Sequence, residues 1–315
     1  MNARLRLGAY VVEITHREKV LFPDDGFTKW DVVEYYRQVA PVMVPHMRGR
    51  PVTMHRFPDG LSGEGFYQKE VSDYFPDWIR RATVAKQEGE VTHVLCGNAA
   101  TLVYLANQAC ITPHLWLSRI DRPQHPDKMV FDLDPGGDDP PAVQAAALAV
   151  RDVLSEGLGL SPLVMSTGSK GVHVVVPLDR RDDFEVVRAF ARDVTHLLAA
   201  THPDTLTTEQ RKNKRGDRVY LDVMRNAYAM TAVAPYAIRA RNGAPVAVPL
   251  HWDEVQDPSF HPRRYTIRNV PARLREIGDP WAAERRQGAS LTPCRSRLDE
   301  LLRRAGVAGA VADRK

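Results

Sequence analysis

The sequence predicts a mixed α/β (α+β) protein built around a split βαβ unit, and three observations lead there. Residues 126 to 224 read in the order strand, helix, strand, strand, helix, strand. Within them, Met129-Val130-Phe131-Asp132-Leu133-Asp134-Pro135-Gly136 is a short apolar run carrying two carboxylates one residue apart and closed by Pro-Gly. The intervening segments place apolar residues at the helical period, whereas the strands alternate.

The chain has 315 residues, 43% of them hydrophobic and 26% charged. That is the composition of a globular protein of one large or two small domains. No apolar run is long enough for a membrane span, and the start lacks a signal-peptide pattern. The three cysteines, Cys96, Cys110 and Cys294, are far apart, and no CxxC pair exists. A zinc site or disulfide framework is therefore not expected, and a reducing cytoplasm is. Net charge is +4, and the pI near 9.0 agrees with a polyanionic partner.

Taken in order, the chain opens with a strand around Tyr10 to Ile14 and an apolar Val20-Leu21-Phe22 before a Pro23-Asp24-Asp25-Gly26 turn. Thr28 caps a helix whose apolar face carries Val32, Tyr35, Tyr36 and Val39, and Pro41 and Pro45 are expected to end it. Arg50 to Gln68 reads as strand and exposed loop, Tyr74 to Val94 as a strand pair, Asn98 to Ala109 as a helix, and Leu115 to Arg119 as a strand.

The second part begins near Pro126. After the Asp132/Asp134 strand, Asp138 or Asp139 caps a helix with apolar positions Val143, Ala147, Val150 and Leu154, and Gly157 and Gly159 stop it. Leu163–Ser166 and Val172–Leu178 form two strands, Asp182 or Asp183 caps a helix over Phe184 to Ala199, and Val219 to Met224 is the last strand. That order is the RRM-like or ferredoxin-like arrangement, which does not by itself fix a function. The expected organisation is an N-terminal α/β module over 1–125, a palm over 126–285, and a helix (Arg295 to Ala305) with tail over 286–315.

Alternation puts Val130, Asp132 and Asp134 on one strand face and Met129, Phe131 and Leu133 on the other. Adjacent carboxylates repel unless a cation or proton lies between them. Oxygen ligands at this spacing suit Mg²⁺ or Mn²⁺, two of which commonly serve phosphoryl transfer. Asp222, in Tyr220-Leu221-Asp222-Val223-Met224, supplies a third carboxylate from another strand. Taken alone, Asp-x-Asp also fits a surface turn or capping pair. Ser166-Thr167-Gly168-Ser169-Lys170-Gly171-Val172-His173 offers small residues and a lysine to a phosphate, although it also fits a plain Gly/Ser hairpin and is not a Walker A loop. Arg211 to Arg218 is a basic run that equally fits a solvated loop, and Arg239 and Arg241, spaced as on a strand, would aim two forks at one face. Lys19 and Lys29, with Phe66 and Tyr67, could hold a nucleic-acid phosphate and stack on a base, against the plainer reading of surface lysines and core aromatics.

These residues together resemble the archaeo-eukaryotic primase superfamily, and most closely the polymerase domain of bacterial ligase D. The resemblance runs from Lys19-Val20-Leu21-Phe22-Pro23 to the Trp281 region, and rests on the phrases FDLDPG, GSKGVHV and TAVAPYAIRAR. It implies a palm packed with the N-terminal module, and template-directed primase-polymerase activity in non-homologous end joining that readily accepts ribonucleotides. Asp132, Asp134 and Asp222 would hold two divalent ions, Mn²⁺ or Mg²⁺. Ser169, Lys170, His173, Arg239, Arg241 and His114 would bind the nucleotide. Lys19, Lys29 and His16 would bind the 5′-phosphate of the downstream strand, Phe66 would stack at the template, and Arg215 would stand near the metals. The implied partners are gapped or broken DNA, nucleoside triphosphates, Ku and a separate DNA ligase, at the bacterial nucleoid.

The chain departs from the family's usual pattern at His16-Arg17-Glu18-Lys19, where the family often reads Asn-Pro-Asp-Lys, and at the apolar Asn226-Ala227-Tyr228-Ala229-Met230. No Lys-x-Asp-Gly motif or His-rich phosphoesterase pattern appears, so a polymerase acting with a ligase in trans is expected. Short-gap filling in excision repair would use the same chemistry. Rivals of another class are a haloacid dehalogenase-type phosphatase and a non-catalytic DNA-end-binding module.

Overall fold

Two antiparallel-rich sheets, each covered by its own helices, organise the chain in the computed structural model, which describes residues 2–85, 88–283 and 288–307. By compactness it divides into two units. The first comprises Met1–Asp121, Thr231–Val248 and Tyr265–Asp279; the second comprises Arg122–Met230, Pro249–Arg264 and Pro280–Lys315. The sequence-based boundary at 126 is close to the first crossing at Asp121. The two returns to the first unit have no counterpart in it.

The first unit opens with a hairpin of β1 (Ala3–Leu7) and β2 (Tyr10–Ile14), then a short pair of β3 (Val20–Phe22) and β4 (Phe27–Thr28). Helix α1 spans Lys29–Met47. Its start is a capping box: Thr28 Oγ1 accepts from the Asp31 N–H and the Asp31 carboxylate accepts from the Thr28 N–H. Pro41 and Pro45 lie inside the helix and do not end it. Each removes one backbone hydrogen bond. The buried face continues past them through Met43, Val44 and Met47, so tertiary packing overrides the local preference. The helix stops instead at Gly49, whose φ of 72° is left-handed.

Strands β5 (Pro51–Arg56), β6 (Phe66–Gln68), β7 (Arg81–Ala85) and β8 (Glu90–Leu95) follow, then α2 (Ala99–Asn107), capped by Asn98, and β9 (Cys110–Trp116). β9 begins five residues before the expected Leu115, because Ala109 at φ 56° turns the chain straight from α2 into the sheet.

The second unit carries the expected sequence of elements, β10 (Lys128–Asp134), α3 (Pro140–Asp152) capped by Asp139, β11 (Leu163–Ser166), β12 (Val172–Pro177), α4 (Phe184–Thr201) capped by Asp183 and, after a two-residue strand β13 (Leu206–Thr207) that the sequence does not predict, β14 (Val219–Asp222). The four principal strands lie in the order β14-β10-β12-β11 and pair antiparallel. This is the split βαβ order, with the first strand at the centre. Met129, Phe131 and Leu133 are fully buried, on the face that α3 and α4 cover.

Beyond Met230 the chain returns to the first unit as β15 (Thr231–Val233), which pairs with β9 and completes the order β15-β9-β5-β8-β7. β16 (Val248–Leu250) ends the other sheet beside β11, followed by α5 (Trp252–Gln256) and α6 (Val270–Ile277). The last helix, α7 (Thr292–Arg304), starts three residues before the expected Arg295, with Pro293 in its first turn, where a missing N–H costs nothing. Arg295 ties it to α4 through the fully buried Asp193, at 2.6 Å. The tail expected after it lies outside the described residues.

Two features hold the centre of the second sheet. β14 pairs with Asp132, Leu133 and Asp134 of β10. The ladder continues through a side chain: Asn226 Oδ1 accepts from the Val130 N–H at 2.8 Å and its Nδ2 donates to the Val130 carbonyl at 2.7 Å. Gly171 opens β12 with its Cα against β10, where an added Cβ would meet the Leu133 carbonyl oxygen at 2.0 Å. Gly171→Ala is accordingly expected to destabilise the protein by about 3 kcal/mol, the range of a forced backbone shift in a packed core. Urea unfolding measures it, and an unchanged midpoint would contradict this close approach.

Candidate active site

β10 is flanked by β12 and β14, and both registers meet at one residue. Asp132 is opposite His173 on one side and Asp222 on the other. A row of carboxylate, carboxylate and imidazole thus crosses three strands at one level. Asp134 follows two residues on, on the same face as Asp132. Ligand oxygens of Asp132, Asp134 and Asp222 all lie within 4.8 Å of one another. The structure therefore brings together the three aspartates that the sequence singles out.

Their environments differ. Burial of Asp132, only 4% exposed, would raise its carboxyl. His173 and Arg225 outweigh that and hold it well below the usual carboxylate range. His173 Nε2 lies 3.3 Å from Oδ1, and Arg225 Nε donates to Oδ2 at 2.7 Å. For Asp134 the balance reverses: burial first, then the charge of Asp132, outweigh the pull of Arg225 and His173 and push it up to about 6. Asp222 is also raised, chiefly by burial, although its Oδ1 accepts the Met224 N–H at 2.7 Å, which fixes the carboxylate's direction. Two half-buried carboxylates resist ionisation beside a third that is firmly ionised. A hard divalent cation resolves that conflict, and the all-oxygen donor set suits Mg²⁺ or Mn²⁺.

Arg225 is the site residue that sequence reasoning missed. It stands three positions after Asp222, past the end of β14, outside any strand alternation or basic run. The signal that could have found it is its neighbour Asn226, whose clamp on Val130 fixes where the loop runs.

The loop between β11 and β12 is drawn tight. Thr167 Oγ1 donates to the Gly171 carbonyl at 2.8 Å and accepts the Ser169 N–H at 3.3 Å. Gly168 takes φ 62°. Ser169 is half-buried and Lys170 exposed at the tip, while His173 is buried beside Asp132. Arg215 is also buried, with its guanidinium 3.9 Å from the Tyr220 ring centroid and donating to the carbonyls of Glu209 and Gln210. Its charge reaches Asp222.

The remaining predicted residues stand in the first unit. Lys29 is not a surface lysine: it is the first residue of α1 and is 7% exposed. Burial, then the charges of Lys19 and Arg56, press its ammonium below its ordinary value. The turn from His16 to Lys19 lies against this helix start, with the Lys29 and Trp30 N–H groups donating to the Lys19 and Arg17 carbonyls. His16 is exposed with φ 48°, and Lys19 pairs with Asp59 at 2.8 Å. Phe66 is 45% exposed under the Arg56 guanidinium. Its neighbour Tyr67 stacks on His55 at 4.2 Å and meets the edge of His114. Arg239 and Arg241, spaced in the sequence as on a strand, lie instead in a turn closed by the Arg241 N–H on the Arg239 carbonyl. The Ala234-Pro235 corner ends β15 before it reaches them. Arg239 still lies near enough to His55 to add to the effect of burial in lowering that imidazole.

With this geometry in place, the similarity to known proteins is specific. The sequence profile of the LigD primase-polymerase domain matches residues 28–281. The multifunctional non-homologous end joining protein LigD of Mycolicibacterium smegmatis is 36% identical over 294 residues, covering 91% of this chain and 38% of that protein. The bifunctional non-homologous end joining protein LigD of Bacillus subtilis is 31% identical over 273 residues, covering 86% of this chain and 43% of that protein. The chain thus spans about two-fifths of the length of these curated relatives. Among solved structures, the polymerase domain of Mycobacterium tuberculosis ligase D, in complex with DNA, superposes with a TM-score of 0.83 at 33% identity, covering 88% of this chain and 99% of that one. The chain belongs to the LigD primase-polymerase domain family, whose chemistry is DNA-directed nucleotidyl transfer.

Proposed function

We propose that this chain is a template-directed primase-polymerase that fills short gaps and extends ends in bacterial non-homologous end joining, accepting ribonucleotides. The observation that carries the reading is the cluster of Asp132, Asp134 and Asp222, with ligand oxygens within 4.8 Å across β10 and β14. These three would hold two divalent ions, Mn²⁺ or Mg²⁺. Bound there, such ions supply Lewis acidity to an attacking 3′-hydroxyl and neutralise the charge of departing pyrophosphate.

The chain's own residues do the rest. The primer oxygen forms a bond to the α-phosphorus as the bond to pyrophosphate breaks. His173 and Arg225 keep Asp132 ionised and oriented for that step. Lys170, exposed at the tip of the tight 167–171 loop, is available to the triphosphate together with Ser169. Arg239, Arg241 and His114 are further nucleotide contacts in this reading. Lys29 is a desolvated ammonium whose nearest charged influences are cations, an environment that favours an anion. With Lys19 and His16 it would take the 5′-phosphate of a downstream strand, and Phe66 would stack at the template. Ku, a separate DNA ligase and a place at the nucleoid belong to the same proposal; among the described residues no helix is long and apolar enough to cross a membrane. Gap filling in excision repair is a second use of the same chemistry.

The central test is extension of a primer across a short gap bearing a downstream 5′-phosphate, with Mn²⁺ and ribo- or deoxynucleotides. Asp132→Ala and Asp222→Ala are expected to lose at least ~10³-fold in rate, and undiminished extension by either would sink the assignment. Lys29→Ala should abolish the preference for a 5′-phosphorylated downstream strand while sparing simple extension. A preference equal to wild type would remove Lys29 from this role. The carboxylates also make opposite stability predictions in EDTA at pH 8. Asp134 has its folded-state value raised, so its charge opposes folding above about pH 6. Asp134→Asn should therefore stabilise the metal-free protein by about 1 kcal/mol, after allowance for its partial exposure, and forfeit stabilisation by Mn²⁺. Asp132→Asn should destabilise it, because His173 and Arg225 lose their partner. Thermal unfolding with and without Mn²⁺ reads both signs.

A further inference from the structure

A second basic feature lies one strand away from the carboxylates and has no part in the chemistry above. β13 runs parallel beside β14, with Thr207 opposite Tyr220, two residues before Asp222. From the end of β13 the chain curls into a cleft of about 580 Å³ lined by Thr207, Glu209, Gln210, Arg211, Lys214 and Arg218.

The cleft is shaped from within by two guanidinium groups. Arg215 donates to the Glu209 and Gln210 carbonyls, and Arg218 donates to those of Arg215 and Lys214. The Glu209 N–H is held on Thr207 Oγ1 at 3.1 Å, and the Arg211 N–H on Glu209 Oε1 at 2.9 Å. Arg211 and Lys214 are exposed, and among the described residues neither forms an ion pair with a carboxylate. Glu209 is the one acid in the lining; the backbone N–H of Arg211 engages it, and the charges of Lys214 and Arg211 reach it. Three cations therefore face an open concavity against a single acid. Threonine and glutamine side chains beside them offer neutral hydrogen bonds of the kind made to phosphate oxygens.

We propose that this cleft binds the phosphodiester backbone of a nucleic-acid strand that reaches the carboxylates, through Arg211 and Lys214. The inference rests on the polymerase reading for the strand itself. The cleft is open and opens off the end of β13, whose neighbour β14 carries Asp222, a position that suits a strand running past the carboxylates. Cations of this kind contribute sequence-independent affinity that weakens with salt.

The test is binding of a fluorescent primer–template duplex lacking any 5′-phosphate, followed by anisotropy over a series of NaCl concentrations. The Arg211→Gln/Lys214→Gln double variant is expected to bind several-fold more weakly, with a log–log salt slope shallower by about 1.8, near 0.9 per lost phosphate contact. Lys212→Gln, exposed in the same basic run but outside the cleft lining, should move the slope by less than half as much. A double variant with the wild-type slope overturns the proposal, as does an equal change in Lys212→Gln. Affinity for a nucleoside triphosphate with Mn²⁺ should be unchanged in the double variant. If it falls while the DNA slope does not, the cleft serves the nucleotide's own phosphates and the proposal fails. Wild-type protein that binds and extends DNA while the double variant keeps its slope defeats the cleft alone. Wild-type protein that binds no DNA defeats the polymerase reading, and the cleft with it.

Discussion

Three carboxylates on one face of one sheet repel each other, and much of the second unit reads as the means of holding them there. Antiparallel register sets Asp222 opposite Asp132, and strand alternation returns Asp134 to the same face. The opposite face of β10 is apolar and fully buried under α3 and α4. Register cannot slip by one residue without exchanging Phe131 and Leu133 for the aspartates, so the hydrophobic core fixes the position of the charges. The cost of that placement appears as a conflict: one aspartate strongly ionised, two resisting ionisation.

Supporting residues keep the conflict from pulling the site apart. Arg225 and His173 occupy both oxygens of Asp132, the most buried member. Asn226 extends the β10 ladder where β14 has already ended, which anchors the loop that carries Arg225. Arg215 packs over Tyr220 and ties the preceding loop to itself. Gly171 allows β12 to approach β10 closely enough for His173 to meet Asp132. Each acts on geometry, and together they leave the three carboxylates preorganised for cations.

The first unit follows a different logic. Its aromatic and cationic groups stand at strand ends and turns. Lys29 is fixed at a helix start against the backbone of residues 16 to 19, with its charge desolvated beside other cations. Phe66 and Tyr67, adjacent on β6, contact different partners, Arg56 for one and the His55–His114 pair for the other. Alternation along a three-residue strand is enough to give one segment two distinct aromatic surfaces.

By itself, the sequence determined the element order of the palm, the cap at Thr28, caps within the pairs Asp138/Asp139 and Asp182/Asp183, and the pairing of Asp132 and Asp134 on one face. These depend on local rules: side-chain capping, strand alternation and helical period act over a few residues. The tertiary structure decided what depends on distant partners. α1 runs through Pro41 and Pro45 because its buried face has a core to fill. Arg239 and Arg241 sit in a turn because β15 ends at Val233. Lys29 is buried because the turn at 16–19 folds over it. Arg225 reaches Asp132, ninety-three residues away in sequence, because β14 pairs with β10 and Asn226 holds the loop beyond it. No short-range pattern encodes a contact of that span; it follows from which strands pair, and strand pairing is a property of the whole sheet.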